Sequence, residues 1–158
     1  MAIWKIPLTL MAGLALSAPL LGGAADPVRP RLAAVRGGAQ PGHAAALAVD
    51  GDWQTFWASA AVPVGPASRG LDLDLGKEEE IQGFLYLPPP YENRGRMGAY
   101  RFYVSQEGQR WGAPASEGTL AMVPDEFWPN EKETFATVLL LRPVRGRYLR
   151  LEAAGPDF

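Results

Sequence analysis

The sequence predicts an all-β fold, an antiparallel sandwich of short strands. Apolar residues recur with a period of two in several runs of five to eight residues, the signature of half-buried strands. The 18 glycines and 15 prolines gather between those runs, where turns need them. No long amphipathic helical pattern interrupts the strands, which favours a sandwich over a mixed fold.

The first 25 residues read as a secretory signal peptide. MAIWK supplies a short basic start, IPLTLMAGLALSAPLLGG is free of charge, and Gly23-Ala24-Ala25 offers the small residues that cleavage requires. An uncleaved membrane anchor would need a similar length, but Pro7, Pro19 and the small-residue exit favour removal. The expected protein is therefore secreted or periplasmic, touching a membrane only through that peptide. Its mature form is mildly acidic, because the leader removes Lys5 and no acid. Export usually brings disulfides, yet the chain has no cysteine, so thiol catalysis, thiolate metal sites and a lipid-modified cysteine are all excluded.

Residues 26–45 are rich in Pro, Gly, Ala and Arg and read as an extended lead-in. HAAALAVDG fits a short helical turn stopped by Asp-Gly. In GLDLDLG (70–76), Leu71, Leu73 and Leu75 point inward and Asp72 and Asp74 outward. IQGFLYL (81–87), AYRFYVS (99–105), GTLAMV (118–123), TFATVLLL (134–141) and GRYLRLEA (146–153) continue the strand series. Between them, Glu78-Glu79-Glu80 reads as a charged turn. SQEGQRW (105–111) reads as a hairpin turn, with Ser105 bonding back to the backbone, Gly108 supplying the dihedrals and Trp111 packing beneath.

Fifteen Lys+Arg against 17 Asp+Glu give no clustered excess of base, which argues against nucleic acid. His43 is the one histidine, with no serine or cysteine near it in sequence, and reads as a surface residue rather than part of a triad or metal site. No catalytic constellation emerges, so a non-catalytic role is expected. AVDGDWQTFWAS (48–59) is the most suggestive stretch. Asp50, Asp52 and Thr55 bring hard oxygen donors to a tight turn, which is calcium chemistry, although a plain Asx turn would look the same.

Taken together, ALAVDGDWQTFWAS, LDLDLGKEEEIQGFLYLP, NRGRMGAYRFYVSQEGQRWG and VRGRYLRLEAAG resemble the coagulation factor 5/8 type C, or discoidin, domain. The form they are most similar to is the family-32 carbohydrate-binding module, across residues 46–155. The resemblance implies a discoidin-like jelly-roll β-sandwich, galactose-binding-domain-like, over residues 46–158. It also implies a structural cation, usually calcium (Ca2+). Asp50 would give a carboxylate oxygen, Leu47 and Asp52 backbone carbonyls, and Thr55 its carbonyl and hydroxyl. Trp57 would be core and Trp53 a loop residue. Two departures from the family pattern stand out. The chain ends at Gly155-Pro156-Asp157-Phe158, so the domain is expected to be C-terminally short and to lack the closing glutamate of the cation site. In the sugar loop, Pro89 replaces the family's arginine and Arg94 stands where its asparagine would be. Tyr91, Glu92, Asn93 and Arg94 still suit a glycan or polysaccharide, with Trp53 and Trp128 as further contacts. The expected function is glycan binding, with a cell-surface protein as another partner. The alternatives are a protein- or phospholipid-binding discoidin module, or the remnant of a secreted glycosidase. Asp125, Glu126, Glu131 and Glu133 around Phe127 and Trp128 disfavour an anionic membrane.

Overall fold

The computed structural model describes residues 3–4, 32–52, 54–60, 70–87, 97–120 and 136–154. Seven strands lie in this region: β1 (Ile3–Trp4), β2 (Ala34–Arg36), β3 (Trp57–Ala58), β4 (Gly70–Tyr86), β5 (Ala99–Ser105), β6 (Ser116–Thr119) and β7 (Ala136–Ala154). A 3-10 turn covers Ala45–Ala48, where the alanine run had suggested one helical turn. β1 pairs with β3, and the other five form a sheet in the order β2-β4-β7-β5-β6, every pairing antiparallel. Most of the signal-peptide reading falls on residues 5–25, outside the described region.

The strands differ from the sequence expectation in an informative way. Runs 70–76 and 81–87 belong to one strand, β4, and the two runs at 134–141 and 146–153 belong to β7. The separations are bulges rather than turns. Asp74 pairs with Tyr148 but Glu79 pairs with Gly146, so β4 bulges at residues 75–78. Ile81 pairs with Val144 but Gly83 pairs with Leu139, so β7 bulges at residues 140–143. Pro143, which cannot donate to a ladder, lies in that second bulge. The acidic run expected as a turn begins in the first bulge at Glu78, ion-paired to Arg145, and continues as ladder positions, with Glu79 opposite Gly146 and ion-paired to Lys77 and Glu80 opposite Arg145.

The two arms of this bent ribbon enclose one apolar cluster. Leu71, Leu73, Leu75, Leu149 and Leu151 come from one arm, and Ile81, Phe84, Tyr86 and Val138 from the other. Phe84 meets Phe102 of β5 at 5.0 Å and the edge of Tyr100 at 5.4 Å, which ties the far arm of β4 to a strand it does not pair with. Trp57 is fully buried, and its indole N–H donates to the carbonyl of Gly38 at 3.0 Å. The lead-in segment thus joins the fold, giving edge strand β2 and a backbone bridge from Gln40 to Ala58 (2.9 Å). β6 spans Ser116–Thr119, earlier than the expected 118–123, of which residues 121–123 lie outside the described region.

Candidate functional site

The loop from the 3-10 turn to β3 is tied by its own side chains. Asp50 Oδ1 accepts the backbone N–H of Asp52 at 2.9 Å, an Asx turn made possible by Gly51 at φ +84°. Asp52 Oδ1 accepts the N–H of Gln54 at 2.9 Å. The Thr55 hydroxyl donates to Asp50 Oδ2 at 2.6 Å and also lies 3.0 Å from the Asp52 carbonyl oxygen. The Asp50 carboxylate, the Asp52 carbonyl and the Thr55 hydroxyl therefore converge. Leu47, half-buried, stands in the 3-10 turn three residues earlier. This donor set, all hard oxygen with one ionised carboxylate among them, fits a calcium ion. Among the described residues no three His, Cys, Asp or Glu side chains gather, so such a site leans on hydroxyl and carbonyl oxygens.

His43 is half-buried rather than on the open surface. Its ring stacks on Phe56 with centroids 4.3 Å apart, and Nδ1 lies 3.4 Å from the Phe56 carbonyl. The SQEGQRW turn forms as its sequence predicts. Ser105 Oγ accepts the N–H groups of Glu107 (3.2 Å) and Gly108 (3.0 Å) and donates to the Arg110 carbonyl (2.7 Å). Gly108 has φ +72°, and a Cβ there would strike the Tyr148 ring.

The outer face of the sheet holds what sequence reading missed. Asp72 and Asp74 point outward as expected, but neither is simply solvated. Arg150 grips Asp72 through Nε (2.6 Å) and Nη2 (2.7 Å), and Arg147 grips Asp74 the same way at 2.7 and 2.9 Å. The Arg147 hydrogen bond, helped by the Gly76 N–H, holds the Asp74 carboxyl below its ordinary 3.8 against the opposing effect of burial. The same carboxylates push Arg147 and Arg150 further up. The Arg150 guanidinium lies 4.4 Å above the Trp111 ring, so Trp111 packs under an arginine rather than into the core.

The other expected ligand contacts, Trp53, Tyr91, Glu92, Asn93, Arg94 and Trp128, lie outside the described residues.

Comparison with known proteins places this architecture. The model of the F5/8 type C domain matches residues 34–157. Galactose oxidase from Gibberella zeae is 29% identical over 120 residues, covering 73% of this chain but 16% of that enzyme. The family 32 carbohydrate-binding module of NanJ from Clostridium perfringens, solved in complex with galactose, superposes with a TM-score of 0.58. It is 19% identical and covers 77% of this chain and 80% of that one. CpGH89CBM32-5 from the same organism, in complex with GalNAc-β-1,3-galactose, gives a TM-score of 0.57 at 21% identity. It covers 77% of this chain and 82% of that one. The fold they share is the discoidin-like jelly-roll β-sandwich, and the chain belongs to the F5/8 type C domain family.

Proposed function

We propose that the chain is an exported carbohydrate-binding domain that holds a glycan without turning it over. The observation that carries this reading is family membership, joined to two modules of the same fold solved with galactose-containing sugars. The described residues supply a second reason. Asp72 and Asp74 are each taken up in a bidentate ion pair, and the His43 ring stacks on Phe56, so these groups have structural partners of their own. Tyr91, Glu92, Asn93 and Arg94 are the proposed polar contacts, with Trp53 and Trp128 as sugar-stacking faces. In the same reading a structural Ca2+ is held by Asp50, Thr55 and the carbonyls of Asp52 and Leu47. It would supply positive charge that braces the loop.

The test is retention of the purified protein on a panel of immobilised glycans that includes galactose and N-acetylgalactosamine, beside anionic lipid vesicles. Retention on at least one glycan, weakened in Trp128→Ala, is the expected result. Retention on vesicles with none on any glycan overturns it.

A further inference from the structure

We infer that a groove on the outer face of the five-stranded sheet is a second glycan contact, shaped for one neutral sugar ring. It is built where β2, β4 and β7 run side by side under the turn that follows β5. The inference rests on the carbohydrate reading above and adds a place that involves neither the Asp50 loop nor residues 91–94.

The register creates the groove. Arg36, Asp72, Arg150 and Tyr103 form one outward row across four strands, and Ala34, Asp74 and Tyr148 form the next. Ala34 is small, which leaves the groove low at its β2 edge, beside Asp74. That turn is pressed onto β7 because Gly108 lies against the Tyr148 ring, and it raises Glu107, Gln109 and Trp111 as a wall. The groove is open on one side and offers about 200 Å³. Sites for drug-sized ligands run to roughly 300–1,000 Å³, so this one suits a single ring.

The lining has the chemistry of polyol recognition. Trp111 is half-exposed, and its indole is held by Arg150 above and by the edge of Tyr103 at 6.4 Å. The two carboxylate–guanidinium pairs are rigid forks that remain partly open to solvent, with Asp72 34% and Asp74 19% exposed. Asp74 Oδ1 also accepts the Gly76 N–H, but both Asp72 oxygens and Asp74 Oδ2 each take one guanidinium bond, and such an oxygen keeps a second acceptor direction for a sugar hydroxyl. Adjacent hydroxyls on a ring donate and accept in pairs, which such forks match. Arg36 and Gln109 line the groove with exposed polar ends. Charge selects the class of sugar. Arg36 and Glu107 line the groove with opposite charge, and Asp72 and Asp74 are neutralised by Arg150 and Arg147 from outside the lining, so the groove offers no net attraction to a uronate or phosphate.

Two-dimensional NMR of the whole chain tests this with galactose, glucose and N-acetylgalactosamine as neutral probes and galacturonic acid as the charged one. At millimolar concentration a neutral probe should move the Trp111 Nε1–H resonance, assigned through Trp111→Phe, together with Arg150 Nε–H. Arg36→Ala/Gln109→Ala should weaken that titration about tenfold, with the melting temperature unchanged. If other resonances move while those two stay still, the carbohydrate reading stands and this groove is not a site. If no probe moves any resonance, both readings fall. A stronger response to galacturonic acid than to every neutral probe overturns the assignment of a neutral ring.

Discussion

Asp74 shows what a single side chain contributes that its local sequence hides. In LDLDLG it reads as a solvated acid, because the alternation fixes only its direction. Its partner Arg147 is 73 residues away, and the Arg150 that holds Asp72 is 78 residues away. No spacing rule could join them. By contrast, the Asp50–Thr55 bond and the Ser105 turn close within five residues, so local patterns exposed both. The Asp74 pairing has a pH consequence with a definite sign. Arg147 depresses the carboxyl below 3.8 in the folded protein, so the unfolded chain takes up protons first as acid is added. The stabilisation is present above about pH 4 and is lost as pH falls through the folded value. Thermal melts between about pH 5 and pH 3 should therefore show a steeper decline for the parent than for Asp74→Asn, which starts less stable at neutral pH. Equal slopes would mean that the pair carries no pH-dependent stability.

Strand positions were readable from alternation, but their joining was not. Gly76-Lys77-Glu78-Glu79-Glu80 has turn composition, and Arg142-Pro143 would break a regular strand, so breaks were expected at both places. Pairing continues because each irregularity is absorbed as extra residues on one partner. Gly83 marks where the second bulge closes. A Cβ there would fall on the carbonyl oxygen of Val138, a backbone atom that cannot move aside without breaking the ladder. Gly83→Ala should cost about 3 kcal/mol, the upper end for overpacking, measured as a drop in urea midpoint with the slope preserved. Gly98→Ala is the control. Nothing lies within 4 Å of its added Cβ, and its change should stay within about 0.5 kcal/mol. A harmless Gly83→Ala would show that β4 and β7 do not approach this closely in solution.

Without cysteine, the sandwich rests on burial and on whatever ion it binds. This gives the Asp50 loop a reach beyond its few residues. It joins the 3-10 turn, with Ala45 and Ala48 buried, to Trp57 at the centre of the core. Bracing it would restrain the lead-in segment, which Gly38 and Gln40 bind to the same region. A cation that binds only the folded state stabilises it by mass action, in proportion to the logarithm of its concentration over Kd. Extracellular calcium modules have Kd values of roughly 10⁻⁴–10⁻³ M, so about 10 mM calcium should add roughly 1–3 kcal/mol. For a domain of this size that raises the melting temperature by about 3–10 °C relative to chelator. Asp50→Asn removes the ionised ligand, and Thr55→Val removes the hydroxyl at nearly constant volume. Both variants should melt alike with calcium and with chelator. Magnesium, which demands a tighter octahedral shell, should substitute poorly in the parent protein. A parent melt that calcium leaves unchanged would reduce the loop to an Asx turn held by its own hydrogen bonds.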